Sequence, residues 1–322
     1  MKATAGLALS GRYAAPAADA AEGLRAWAVQ SGVSMTIEDT GDGAAAVEAF
    51  YRRAAGEGDL LFGPYGSGPL RAAQRALEGT PTVLWNHGGA AAGRRGTSRV
   101  VDVLGPARSY WSGLATALDE RGIDLGAVVI LHSDSPFGRE TAAGAVASLR
   151  GAGAAPLRTG TFDESSAREM VRNVARDGAR CLIGCGRIED DLALVAEAAP
   201  LALAVGAIVA GISFAHETLG DAIEGSFGPA QWCSSAGSPL PGGLDYPAAQ
   251  AFAAGQIAMS AYQRGGSAHP DHLWDAARAL RCRTILGPFE VDERGHQSAH
   301  APLLVEWVAG PGGPRRRVMW RP

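Results

Sequence analysis

The chain has 322 residues, 47% of them hydrophobic and 19% charged, which is enough apolar material for two folded cores and excludes a disordered chain. A net charge of −4 leaves no basic excess to follow a phosphate backbone, so nucleic acid is not an expected partner, and the arginine run 315–317 reads as a solvated strand edge. Cys181, Cys185, Cys233 and Cys282 form no CxxC pair and have no histidine at zinc spacing, so no metal or other cofactor is expected.

Taken in chain order, short runs rich in Val, Ile and Leu alternate with longer helical patterns. Residues 3–9 read as a buried strand, 16–31 as a helix, 34–38 as a strand, 43–55 as a helix, 60–62 as a strand, 69–78 as a helix and 82–85 as a strand. A short apolar run at 99–104 follows. The rhythm then restarts, with strands at 127–132, 155–161, 181–184 and 207–210 and helices at 138–150, 166–177 and 188–198. This is the βαβα pattern of a parallel, doubly wound sheet, met twice. Residues 233–243 are rich in Gly, Pro and Ser and read as a linker. Helical patterns at 246–265 and 269–280 come next, then strand-like stretches at 284–291, 302–308 and 316–320, with a hairpin turn at 310–314.

The opening Met-Lys-Ala-Thr-Ala runs straight into the first strand with no apolar leader, which fits either a cytoplasmic protein or one whose leader has been removed. The longest apolar run, 201–212, is too short to span a bilayer.

Polar, Gly-rich turns close several strands: Ser10-Gly11, Gly66-Ser67-Gly68, Asn86-His87-Gly88-Gly89, Ser133-Asp134-Ser135 and Gly184-Cys185-Gly186-Arg187. In open α/β sheets ligands bind outside the carboxyl ends of the strands, and glycine lets backbone N–H groups approach them closely. Ser67 is expected to cap the following helix, whose N-terminus favours a carboxylate. Trp85 precedes one of these turns and Tyr246 opens the helix after the linker, so both are candidates to line a site. Trp111 and Trp232 read as core. Arg187 reads either as a partner for a ligand carboxylate or as a surface residue at a helix start, and His87 either as a donor to a ligand or as a structural histidine.

Several segments in order resemble a known family. They are Gly6 to Gly11, Glu38-Asp39-Thr40, Phe62 to Gly68, Leu131 to Gly138, and Thr284 to Gly287 followed by Val291 to Gly295. Together they resemble the type I periplasmic solute-binding proteins of ABC transporters, in the branched-chain amino-acid-binding branch. The resemblance implies two Rossmann-like lobes with parallel doubly wound sheets, joined by a three-segment hinge. The first lobe would hold 1–106 and 235–285, the second 107–234 and 286–322, with crossings near Gly105, Cys233 and Leu286. It implies capture of a small ligand by hinge closure and delivery to a membrane ABC permease outside the cytoplasm. Ser67 falls at the carboxylate-binding serine of that family, Gly89 and Ala90 on the next contact loop, and Phe137 and Arg187 on the second lobe. Ser10, Tyr13 and Tyr65 belong to the same turns.

Two departures widen the ligand class. Amino-acid binders carry a hydroxyl where this chain has Ala90, and no acidic residue lies at 211–214 to hold an ammonium, Glu217 being the nearest. Amino acids, aromatic carboxylates and amides are all accommodated. An amide sensor of the same fold in the cytoplasm is the alternative. No Walker A loop, GxSxG elbow or HExxH appears, so no enzyme is expected, and the one hydrolase arrangement available pairs Ser67 with His87.

Overall fold

A computed structural model describes residues 1–90, 96–234, 238, 240, 242–311 and 313–322. The chain opens with β1 (Lys2–Leu7), α1 (Ala14–Ser31), β2 (Ser34–Asp39), α2 (Ala44–Ala54), β3 (Leu60–Phe62), α3 (Ser67–Ala76), β4 (Val83–Asn86) and β5 (Arg99–Asp102). Then come α4 (Leu114–Asp119), β6 (Val128–His132), α5 (Pro136–Gly151), β7 (Arg158–Thr161), α6 (Ala167–Arg176), β8 (Cys181–Cys185), α7 (Ile188–Ala198), β9 (Ala204–Ala207), α8 (Phe214–Leu219) and β10 (Phe227–Ala230). The last elements are α9 (Tyr246–Gly265), α10 (Pro270–Arg278), β11 (Cys282–Thr284), β12 (Gly287–Phe289), β13 (Leu303–Val308) and β14 (Arg315–Trp320).

Two compact units result. The first holds Met1–Pro106 and Ser234–His300, the second Ala107–Cys233 and Ala301–Pro322. The last passage between them follows His300 rather than Leu286, where the sequence places it. The cause is hydrogen bonding to the end of β5: Asp102 N–H donates to the Gly295 carbonyl at 2.8 Å, and the Gln297 side chain donates through Nε2 to the Val103 carbonyl at 3.3 Å. These bonds hold 286–300 against the end of β5. Residues 235–237, 239 and 241 of the expected linker lie outside the described residues, as does Gly312 of the expected hairpin turn.

In the first unit the sheet order is β2-β1-β3-β4-β5, all parallel. Its central strands β3 and β4 are buried throughout, while β2 is an edge. Leu61 and Leu84 pack on α2 and α3 with Phe50, Tyr51 and Leu70. Alternation along β4 then turns Trp85 to the opposite face, where α1 and α9 lie. Glycine sets that helix pair: a Cβ on Gly23 would lie 2.1 Å from the Ala248 carbonyl oxygen, and one on Gly255 would lie 2.2 Å from the Trp27 ring.

The second unit has the order β7-β6-β8-β9-β10-β13-β14. Its first five strands are parallel and repeat the order of the first unit; β13 and β14 add an antiparallel hairpin. The arginine run lies on β14, where Arg317 pairs with Glu306 at 2.7 Å and Arg316 donates to the Gly211 carbonyl at 2.8 Å. Cys181 and Cys185 are buried in β8, where burial pushes the Cys181 thiol up to about 12.

Three local expectations change. The strand expected at 207–210 ends at Ala207 and continues as a 3₁₀ turn, Ile208–Gly211. Gly211 brings that turn onto β10, since a Cβ there would lie 1.8 Å from the Pro229 carbonyl oxygen. Strand β10 itself escapes sequence reading because Phe-Gly-Pro-Ala carries a turn signal. Proline is tolerated because β10 pairs with β9 at Phe227, and Pro229 stands opposite Leu304 of β13. The strand expected at 284–291 is a tight antiparallel pair, β11 and β12, turned through Gly287 at φ +112. Among the described residues no helix is long and apolar enough to cross a membrane.

Candidate functional site

Each parallel sheet has one topological switch point, between β1 and β3 in the first unit and between β6 and β8 in the second. Crevices for ligands form at such points, beyond the carboxyl ends of the strands.

At the first switch point, the turn after β1 and the turn after β3 touch. Tyr13 meets Tyr65 edge-on with ring centroids 6.3 Å apart. Gly66 has φ +99, a conformation open to glycine, and a Cβ there would lie 2.8 Å from the Tyr13 ring. The next turn is tied in by the Gly66 N–H, which donates to the Gly88 carbonyl at 3.0 Å. Ser67 is the first residue of α3; Gly66 takes the cap position and no side chain caps the helix, contrary to expectation. The Ser67 hydroxyl is half-buried and makes no hydrogen bond among the described residues. First-turn amides of a helix have no intrahelical acceptor, so α3 presents N–H groups beside that hydroxyl.

The carboxylates here serve the backbone. Asp39 accepts from the N–H groups of Leu9 at 3.0 Å and Gly41 at 2.8 Å, and the Gly41 bond leads the Ser10 and Leu9 bonds in holding its carboxyl below the usual range. Asp42 pairs with Arg12 at 3.4 Å. Ser10 is exposed.

Other candidates on this unit are occupied. Gly89 donates its N–H to Asn86 Oδ1 at 3.0 Å and accepts from Asn86 Nδ2 at 2.6 Å, so its backbone closes its own turn. Ala90 is buried beside it, Trp85 is sealed in the core, and Tyr246 is 7% exposed at the start of α9. His87 is fully buried, and burial holds its imidazole down at about 4; Gly63 backbone faces the ring without completing a hydrogen bond. The Ser67–His87 pair of the hydrolase arrangement is therefore not formed. A hollow of 170 Å³ lined by Thr4, Asp59, Leu60, Thr82 and Val83 opens at the starting ends of β3 and β4, away from these turns.

At the second switch point the Ser133 N–H donates to the Cys185 carbonyl at 3.2 Å, joining the turns after β6 and β8. Ser135 caps α5 by accepting from Gly138 N–H at 3.0 Å. Phe137, the second residue of α5, meets Tyr110 edge-on at 5.7 Å and is half-buried. Arg187 is exposed at the cap of α7 and makes no ion pair among the described residues. Its position is fixed from behind by two acids that sequence reasoning missed. Asp190 accepts the Arg187 N–H at 3.1 Å and the Glu164 N–H at 3.0 Å. Asp191, 1% exposed, accepts from Gly186 N–H at 2.7 Å and Val209 N–H at 3.2 Å. Burial raises the Asp191 carboxyl to about 7 against those bonds, with a further push from Asp190. The signal was present as consecutive acids in a first helical turn. No group of His, Cys, Asp and Glu suited to a metal ion occurs among the described residues.

No family profile matches the sequence, and no curated protein matches it. Solved structures do match. A solute-binding protein of an ABC transporter from R. palustris, in complex with 4-hydroxybenzoate, superposes with a TM-score of 0.84 at 14% identity, covering 99% of this chain and 96% of that one. Another from R. palustris, in complex with benzoate, has a TM-score of 0.80 at 17% identity, covering 99% and 96%. The leucine-binding protein LivK of Thermotoga maritima has a TM-score of 0.81 at 14% identity, covering 98% and 97%. The chain has the periplasmic binding protein type I fold. In this fold the two units repeat one strand order, and the sequence candidates sort by unit: Ser10, Tyr13, Tyr65 and Ser67 at one switch point, Phe137 and Arg187 at the other. Gly89, Ala90, Trp85 and Tyr246 are buried.

Proposed function

We propose that the chain is the solute-binding receptor of an ABC-type importer, working outside the cytoplasm and delivering a small carboxylate- or amide-bearing ligand to a membrane permease. The ligand settles on the turns of one unit, with Ser67 and the first-turn amides of α3 as donors, and the second unit closes over it with Phe137 and Arg187. Closure is a population shift, driven by contacts the ligand makes in the closed state. The observation that carries the reading is that both units, each built on the same strand order, present at their switch points donors that are uncommitted among the described residues, Ser67 in one and Arg187 in the other. The similar structures are binding proteins of ABC transporters in complex with benzoates, and a leucine-binding protein, which supports a receptor over an enzyme.

A thermal-shift panel of benzoates, aliphatic and aromatic amino acids, short amides and urea tests it. A ligand at about 100 times its dissociation constant adds roughly 2.7 kcal/mol, a rise of several degrees. Small-angle scattering with the best ligand is expected to give a smaller radius of gyration. A flat panel overturns the receptor reading, and an unchanged radius at saturation overturns closure.

A further inference from the structure

The turn after β7 brings a second charged group, Glu164, to the side of Arg187. Asp163 closes that turn: the Ser166 N–H donates to its carbonyl at 3.2 Å, and the Ser165 and Ser166 hydroxyls donate to its Oδ1 at 2.7 and 2.9 Å. Although β7 is an outermost strand, its turn is drawn onto the turn after β8. Asp190, 2% exposed, divides its two oxygens between them: Oδ1 accepts the Glu164 N–H at 3.0 Å and Oδ2 the Arg187 N–H at 3.1 Å. Phe162 is buried against the same place, since a Cβ on Gly186 would lie 3.0 Å from its ring and 2.8 Å from Asp190 Cβ.

One buried carboxylate therefore holds the backbones of Glu164 and Arg187 side by side. Both side chains are exposed, and neither makes an ion pair among the described residues. Elsewhere in this unit Arg139 pairs with Asp134, Arg158 with Asp177 and Arg168 with Glu197. Burying a carboxylate costs free energy, and Asp190 has the buried Asp191 as a like-charged neighbour. What that burial achieves is a cation placed beside an anion at the carboxyl ends of β7 and β8, the side of the sheet where ligands bind.

On the receptor reading above, we propose that Glu164 is a specificity-determining residue: Arg187 takes the acid group of the ligand, and Glu164 accepts a hydrogen bond from a donor next to it. The ligand class is then an acid that also bears a hydrogen-bond donor. A plain acid meets the Glu164 charge with nothing to offer it, and like charges at close range repel. A hydroxyl or other donor on the ligand turns the same charge into a charge-assisted bond.

The test is titration calorimetry of the full chain with sets of probes that share a carbon skeleton. They are 3-phenylpropanoate against L-3-phenyllactate and L-phenylalanine, 4-methylpentanoate against L-2-hydroxy-4-methylpentanoate and L-leucine, and benzoate against 4-hydroxybenzoate. The expected result is that in at least one set a donor-bearing member binds at least tenfold more tightly than the plain acid, the scale of a charge-assisted bond, and that Glu164→Ala removes this preference. Glu169→Ala, exposed on α6, keeps it. A plain acid that comes within tenfold of its partners or surpasses them in every set, or a preference that survives Glu164→Ala or is lost equally in Glu169→Ala, overturns the proposal and leaves the receptor reading standing. No heat from any probe overturns both.

Discussion

The Tyr13 ring stands against Gly66 so closely that a Cβ on residue 66 would lie 2.8 Å from it, at a backbone φ of +99. Two independent constraints thus fix one glycine. Gly66→Ala is expected to lower stability by about 1–3 kcal/mol, the cost of a side chain in a conformation that belongs to glycine. That is roughly 2–4 °C of melting temperature for each kcal/mol. A calorimetric scan with an unchanged midpoint refutes the close approach.

Ser67 caps nothing, so its removal separates binding from stability. Ser67→Ala is expected to leave the melting temperature of the free protein within about 0.5 kcal/mol of its starting stability. The same change weakens binding of a carboxylate ligand by about 1–3 kcal/mol. Equal dissociation constants for the two proteins, measured by calorimetry, take Ser67 out of the site.

Arg187 makes the complementary case from the second unit. Its exposure and its lack of an ion pair among the described residues predict that Arg187→Gln is stability-neutral. Affinity for a carboxylate falls about tenfold or more, the scale of a lost charge-assisted bond, while a neutral amide binds as before. Parallel losses for acid and amide refute the charge role.

Asp191 predicts a pH effect with a definite sign. Its folded carboxyl is raised by burial from 3.8 to about 7, so between those values the folded state holds a proton the unfolded state has released. Stability from this group is present below pH 4 and declines as pH rises toward 7. Asp191→Asn removes that slope, so the advantage of the parent protein over the variant shrinks from pH 4 to pH 8 in thermal melts. A pH-independent difference contradicts the assignment.

His87 acts in the opposite sense. Burial lowers its imidazole from 6.5 to about 4, so the unfolded state binds the proton first, and stability is lost as pH falls from 6.5 toward 4. His87→Phe is expected to flatten the acid limb of a melting-temperature profile; His300, lowered to about 4 by the same cause, supplies the remaining slope. An acid limb identical to that of the parent refutes the role.

The parallel strands and their helices were legible because Val, Ile and Leu runs bounded by glycine carry a local signal, as in 60–62 and 181–184. The turns at Ser67 and Ser133 were legible for the same reason. What escaped was decided across the chain. Pro229 looks like a turn until β13 supplies its antiparallel neighbour, and 286–300 joins the first unit only because Gly295 and Gln297 meet 102–103. Gly89 carries the composition of a contact loop, but the Asn86 side chain claims its N–H. Trp85 precedes a polar turn, yet strand alternation sends its ring into the core.

Helix α9 reaches the first unit only when the chain returns to it after Cys233. During synthesis, the sheet face bearing Trp85 therefore waits without that cover while every parallel strand of the second unit leaves the ribosome. The later-made unit has its parallel sheet available before the earlier-made one has its last helix. A chain stopped at Pro106 is thus a half-covered sheet rather than a domain, with an apolar surface for chaperones to shield.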